Sequence, residues 1–576
     1  QDNTSRYLNT KLEYEKMIEK SFPSGSIYSV RLQAVEFNRK LSGDKTRNLE
    51  SEALKAISNN QNLPRNNATT AEVLDFLAQL GLEVKNYGAT EKYLREIIDI
   101  RSALLGADAP ETHLARLHLA NFYLDYTNKI IDAGRIYGES FINVVQKQIS
   151  PGHPDNLEIL NHMAILYELT DNYARATAIL KRAGEVARQK YSDTDGLFAV
   201  ELTKIANLEL KLGQYEEAEK DLGKALGILE EKRKDPDWQP AFVNAIETNA
   251  KLLGIKGLFD DAEDALDRSA KIISRSDNLV MIDELSTAQE LASLFIQLGR
   301  YSATEQLLSK LIPEYESLYG STSLRLIEPL TNQGRLLLAK GDYTDAEKVA
   351  QRANQIAMTV YGEKSTKTAP TQRLLGDIDY TIGDYENAEI NFNQALASQQ
   401  KQFGRKHIEV AKSLAQLGLT KFYKGDNRQE VEKILIEARD IIGEKLSKDN
   451  PQYADILKSV AFLYLSEKKF EIAFSSLTQA ESIWRTRTGS KNNINLASIY
   501  ALTGDVYYQQ KNYPKAEEFY NKGKDIYERF FSDKHPEYVK VLSKLSKVYY
   551  MQKDFRKAKK NIPVGRAYVK TSFNNT

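Results

Sequence analysis

The segment KGDYTDAEKVAQRANQIAMTVYG, from Lys340 to Gly362, returns 42 residues later as IGDYENAEINFNQALASQQKQFG, from Ile382 to Gly404. Steps of 42 to 44 residues from its Gly-Asp-Tyr find the same register twelve times. The anchors are Tyr87, Ile130, Tyr173, Tyr215, Phe259, Tyr301, Tyr343, Tyr385, Asn427, Phe470, Tyr513 and Phe555. Three residues after nine of them stands an Ala, as at Ala218, Ala388 and Ala516. Nine residues before eleven of them stands a small residue, as at Ala164, Gly376 and Gly504; seven after stands an apolar or aromatic one, as at Leu222, Phe392 and Tyr520. A chain of 576 residues exceeds what one hydrophobic core supports. A unit this short cannot bury its own apolar face, so each copy must supply the core of the next.

Each unit reads as a helix pair. A helical apolar pattern lies upstream of the anchor and a second lies downstream. Between them sits a polar turn, often with a glycine (Gly213, Gly299, Gly341, Gly383) suited to a left-handed helix end. The small residues let two backbones approach, and the anchor ring is expected to fill the crossing. The expected fold is all-α, a right-handed solenoid of stacked antiparallel helix pairs. Residues 1–70 read as a helical cap with one degenerate unit, 71–570 as an array of about twelve units, and 571–576 as a polar tail.

Composition removes several chemistries. There is no cysteine, so disulfides, thiolate metal sites and cysteine nucleophiles are excluded. Lys+Arg and Asp+Glu are both 79, which gives no global pull toward nucleic acid or anionic membrane. The last 66 residues nevertheless hold 16 basic and 7 acidic side chains, a basic pole on an acidic body. No apolar run is long enough to cross a bilayer. The six histidines include His113 and His118, whose spacing of five does not make a metal pair on one helix face, and His153 and His535, which precede proline in loops. No glycine-rich phosphate loop, Gly-x-Ser-x-Gly or His-Glu-x-x-His occurs. The chain is therefore read as a non-enzyme with no catalytic residues, no cofactor and no metal. Trp238 is either an exposed recognition residue or a ring packed over a helix end; Trp484 is expected in the core.

The small residue, the aromatic anchor, the Ala three later and a second small residue near Ala183, Ala225, Ala353 and Ala395 together resemble the tetratricopeptide repeat, in the long 42-residue variety similar to kinesin light chains. The loops SPGHPDNLEIL, SKDNPQYADIL and FSDKHPEYVKVL look like that variety's Gly-x-x-His-Pro connection. The resemblance implies a protein-binding array whose first helices line a concave face. It implies inward positions 15, 12, 8, 5 and 4 residues before each anchor. Early units place Glu72, Asp75, Asp125 and Glu158 there. Late units place Arg373, Tyr380, Lys412, Phe422, Tyr423, Lys458, Phe462, Tyr508, Lys540, Lys547 and Tyr550 there, and these eleven are the expected partner-binding residues. The expected partner is a protein or peptide with apolar anchors and acidic flanks. The expected role is a scaffold subunit in an exported bacterial assembly, periplasmic or at the cell surface, since the chain begins Gln-Asp-Asn without Met and lacks cysteine. The alternatives are a cytoplasmic setting, or the regulatory arm of a larger chain with a catalytic domain such as the CHAT protease that follows related arrays.

Overall fold

A computed structural model of the chain describes residues 68–83, 85–141, 154–274, 281–488, 493–531 and 535–561. The expected amino-terminal cap, the polar tail and His153 lie outside the described residues. Two compact units result, residues 1–168 and 169–576, each taken by itself below. Among the described residues every regular element is a helix.

In the first unit Ala68–Glu83 packs on Tyr87–Leu105 and Pro110–Tyr126 on Ile130–Phe141, with Pro154–Leu169 at its end. The second unit opens with Tyr173–Tyr191 and continues as helix pairs from Gly196–Lys211 with Tyr215–Lys232 to Pro536–Met551 with 555–561. Each anchor is the first residue of a second helix; Asn427 instead is the cap of Arg428–Lys445. The repeat signature is the core. Ala218, Ala262, Ala346, Ala388, Ala473 and Ala516 are fully buried. The large residue seven after the anchor lies on the small residue nine before it. A Cβ on Gly504 would meet the Tyr520 ring at 2.5 Å, and one on Gly376 the Phe392 ring at 2.7 Å.

The anchor rings therefore do not fill the crossing of their own pair, because the residue seven later already does. Three of them face a later part of the chain, whereas Tyr385, Tyr513 and Phe555 meet Tyr380, Tyr508 and Tyr550 of their own first helix. Tyr173 meets Phe403 at 5.5 Å, Phe259 stacks on Trp484 at 6.0 Å and Tyr301 on Phe531 at 5.7 Å. The second unit winds so that the turn of one pair touches the start of the first helix five pairs on. This seam repeats one chemistry. His407 Nε2 bonds the Lys211 carbonyl at 3.1 Å, Asn450 Nδ2 the Ile255 carbonyl at 2.8 Å, Asn495 Nδ2 the Gln297 carbonyl at 3.3 Å and His535 Nε2 the Ala339 carbonyl at 2.8 Å. The partners are 195 to 198 residues apart. At the first crossing Asp171 accepts from the Thr366 amide at 3.1 Å and from its hydroxyl. All four carbonyls stand four residues before an anchor, at the end of a first helix, where no intrahelical donor remains.

The seam also bears on a residue two before the anchor, which has positive φ from Asp171 onward. At the first crossing it is Asp171, which bonds Thr366; at the next four, where a later pair packs on it, it is Gly213, Gly257, Gly299 or Gly341. A Cβ there would meet His407 at 3.1 Å, Pro451 at 2.3 Å, Ile494 at 2.5 Å and Pro536 at 2.8 Å. Nothing lies within 4 Å of a Cβ on Gly383 or Gly425, and in the three pairs after them the position is Lys468, Lys511 and Lys553, still at positive φ.

Two outcomes follow. Phe392→Ala removes a fully buried ring and should cost ~3–5 kcal/mol. Amide exchange should loosen first in the pairs flanking 392, and uniform loosening of the whole chain would contradict the stacked-pair core. Gly257→Ala and Gly383→Ala share the left-handed strain of about 1–2 kcal/mol, but only the first collides with a covering pair. Urea unfolding should show Gly257→Ala worse by roughly 1–3 kcal/mol, the usual penalty of overpacking; equal losses would remove the seam.

Candidate functional site: the inner face of the second unit

Seven consecutive first helices, from Gly196–Lys211 to Pro451–Ser466, surround a cavity of about 800 Å3. Its charges come from inward positions on successive helices: Lys251, Glu290, Glu328, Arg335, Arg373, Asp377, Glu409, Lys412 and Asp455. They pair mostly with one another. Lys251 meets Glu290 at 3.1 Å, and Glu409 bridges Arg373 at 2.6 Å and Lys412 at 2.7 Å. Burial opposes ionisation of Glu409, but Lys412 and Arg373 hold its carboxyl well below the usual range. Asp377 has no such bridge, and burial raises it to about 6 against the pull of Arg373 and Arg335. Arg335 is lowered by burial and by the neighbouring Arg373 charge. Beside it Asn332 is buried, accepting from Arg335 at 3.3 Å. The Lys211, Ile255 and Gln297 acceptors and His407 also line the cavity, so the seam is one of its walls.

Beyond this charged stretch the inner face turns aromatic. Tyr380, Phe422, Tyr423 and Phe462 come from three successive first helices and form one cluster. Tyr380 meets Tyr423 at 5.7 Å, Phe422 meets Phe462 at 5.0 Å and Tyr423 stacks on Phe462 at 5.6 Å. Arg428 lies over the Phe422 ring at 3.7 Å, and Tyr385 stacks on Tyr423 at 5.3 Å. Tyr423 remains 43% exposed. Its hydroxyl is raised by burial and by Tyr385, and the Lys540 charge acts on it in the opposite sense.

The structure thus separates the eleven expected residues into groups. The four rings above converge. Arg373 and Lys412 lie in the cavity and are committed to Glu409 rather than offered outward, because Glu409 faces Arg373 from the next first helix and stands one turn before Lys412 on the same helix. Lys458 is paired with Asp455 at 3.0 Å. Tyr508 packs on Tyr513 at 5.7 Å. Tyr550, 64% exposed, touches Phe555 at 5.6 Å. Lys540 pairs with Glu537 at 2.7 Å, and Lys547 is exposed. Among the early acids, Asp125 pairs with His162 at 3.0 Å and Glu158 accepts from Asn121 at 2.9 Å. Trp238 lies over Gly196 at the start of a helix, and Trp484 is buried against Phe259. Sequence reasoning missed the seam residues His407, Asn450 and Asn495. For His407 and Asn450 the signal was present, a His or Asn before Ile or Pro twenty residues ahead of an anchor; Asn495 lies two residues past Asn493, which holds that position.

Family models described as tetratricopeptide repeat match residues 202–228, 329–401, 367–432 and 495–561. These stretches are tetratricopeptide repeats. Arrays of this kind are protein-interaction scaffolds. Two curated relatives match over 216 residues at 21% identity: the clustered mitochondria protein homologs of Danio rerio and Homo sapiens. The match covers 36% of this chain but 15% and 16% of those proteins, so the chain spans about a sixth of their length. Among solved structures it is similar to a Rap protein complexed with competence and sporulation factor, with 14% identity, 65% of this chain, 98% of that one and a TM-score of 0.48. It is also similar to the APC/C hetero-tetramer Cut9-Hcn1, with 13% identity, 96% and 98% coverage and a TM-score of 0.47. No described helix is long and apolar enough to cross a membrane, and no group of three or more potential metal ligands occurs among the described residues.

Glu409→Gln should lower stability at pH 7 by ~2–3 kcal/mol, less than the ~3–5 of a fully buried pair, because 28% of the Glu409 side chain stays accessible. A depressed carboxyl contributes fully above its ordinary value near 4.5 and loses that contribution as pH falls through its folded value. Urea midpoints of variant and wild type should therefore converge only in strong acid.

Proposed function

We propose that the chain is a non-enzymatic scaffold that grips an extended or helical segment of a partner protein on the inner face of its second unit. The observation that supports this most is the half-open ring cluster of Tyr380, Phe422, Tyr423 and Phe462, with the Lys540 charge beside it. Aromatic rings beside a cation are the usual composition of an interface hot spot. Because Lys251, Glu290, Arg373, Glu409 and Lys412 pair with one another, attraction for a charged partner comes from the late end, where Lys540 and Lys547 stand with the basic carboxyl-terminal stretch. The fitting segment carries aromatic or aliphatic anchors with acidic flanks. Tyr508 and Tyr550 extend the same surface.

A display library of peptides of that design, scored by fluorescence anisotropy, provides the test. Tyr423→Ala with Phe462→Ala should weaken binding at least about 30-fold, the loss expected of a hot spot worth about 2 kcal/mol. Lys540→Glu with Lys547→Glu should slow association, most at low salt. Glu72→Ala with Asp75→Ala is the control. If the control pair abolished binding and the ring pair left it intact, the site would be misplaced.

The reading includes an exported bacterial assembly, supported by a cysteine-free chain that is indifferent to an oxidising compartment; recovery of the native protein from cytoplasm alone would overturn that part. A second reading, the arm of a longer protein, draws support from the curated relatives, in which the matched stretch is 15–16% of the whole.

A further inference from the structure

We propose that the seam is a proton-operated latch: protonation of His407 and His535 removes two helix caps and charges two rings held between successive turns of the second unit, which loosens the seam along the cavity wall. The proposal rests on the inner-face reading for what enters, and on seam geometry alone for the latch.

Each of these imidazoles makes two bonds that require one tautomer. His407 Nδ1 accepts the Glu409 amide at 3.2 Å, while Nε2 donates to the Lys211 carbonyl. His535 Nδ1 accepts the Glu537 amide at 3.2 Å, while Nε2 donates to the Ala339 carbonyl. A neutral ring with its proton on Nε2 satisfies both; a doubly protonated ring has no acceptor left. Protonation therefore sets N–H against N–H at the cap of a first helix, while the Nε2–H bond to the neighbouring turn survives; the seam loosens because the cap is lost and a charge is placed in a ring stacked between the turns. Asn450 and Asn493 hold the equivalent caps with amides, which do not titrate, accepting from Gln452 and Asn495 at 2.8 Å. The titrating staples flank the two that do not, so acid loosens the seam from both sides.

The surroundings favour the neutral ring. His407 stacks on Phe403 at 4.4 Å, and burial lowers it, opposed by Glu409 and the Lys211 carbonyl and aided by Lys412 and Lys445. Glu409 is already bridged by Arg373 and Lys412, and Gly213 of the earlier turn, with Lys211 and Tyr215 on either side of it, faces the ring. His535 stacks on Phe531 at 3.4 Å, and burial lowers it, opposed by the Ala339 carbonyl, Glu537 and Asp342 and aided by Lys540. Glu537 is paired with Lys540. A base depressed in the closed state contributes to closure fully above its free value of about 6.5, and that contribution is lost as pH falls from there through the folded value. His407 and its Lys211 acceptor both line the cavity, so a seam loosened here is a loosened cavity wall.

Amide exchange on the full chain at pH 7.5 and pH 5.5, expressed as protection factors, reads the latch without any partner. Protection of Glu409 and Glu537 should fall about five- to tenfold at pH 5.5, the worth of a lost cap, while Gln452 and Asn495 change less. His407→Asn with His535→Asn copies the Asn450 staple. It should keep the seam at pH 7.5 and abolish the response to acid. A wild type without the response, or a double variant that retains it, overturns the latch. Association of an aromatic peptide with acidic flanks reads the loosened wall: it should quicken at pH 5.5 in wild type only. Binding lost on Tyr423→Ala with Phe462→Ala but no faster in acid overturns the gating and spares the partner reading. No binding at either pH overturns the partner reading, and the exchange result then decides the latch alone.

Discussion

The second unit depends on a helix cap that works in two directions. A residue such as His407 or Asn450 accepts an amide from its own first turn and donates to a carbonyl at the end of a first helix five pairs earlier. The groups it satisfies are those every helix leaves open at its ends. In an isolated pair water would take both. Here one side chain serves both ends at once, and the solenoid gains long-range contacts that its nearest-neighbour stacking does not supply. The anchor rings follow from the same contact, since Tyr173, Phe259 and Tyr301 are covered by Phe403, Trp484 and Phe531 of the later turn.

Closure of one turn on the next leaves an edge where no later pair arrives among the described residues. There the position that is glycine under a covering pair becomes Lys468, Lys511 and Lys553. A lysine at positive φ is strained, and a covering turn would collide with it and lose solvation of its charge. The arrangement parallels the lysines that keep exposed strand edges from pairing. Gly383 and Gly425 stand uncovered without such protection.

The cavity created by closure changes what the inner charges do. Coulomb attraction between neighbouring first helices turns Arg373, Glu409 and Lys412 into a structural bridge, which costs desolvation and returns it only while all members are present. Of the rings around Tyr423 only Phe422 is covered by a cation, Arg428, among the described residues, and part of that surface stays open.

The sequence by itself determined the period, the twelve anchors and the identity of the core. These are local: the residue nine before the anchor must be small because the one seven after it is large, and both lie within one unit, as Gly504 and Tyr520 show. It also supplied the ring cluster, since Tyr380 and Phe422 hold the inward position five before the anchor and Phe462 the one eight before. Only the tertiary structure decided that Tyr173, Phe259 and Tyr301 face a later turn and that His407 and His535 are staples. Each of these depends on the small rotation from one pair to the next, summed over five pairs. No single residue encodes that sum, so contacts 195 residues apart were invisible until the helices were placed.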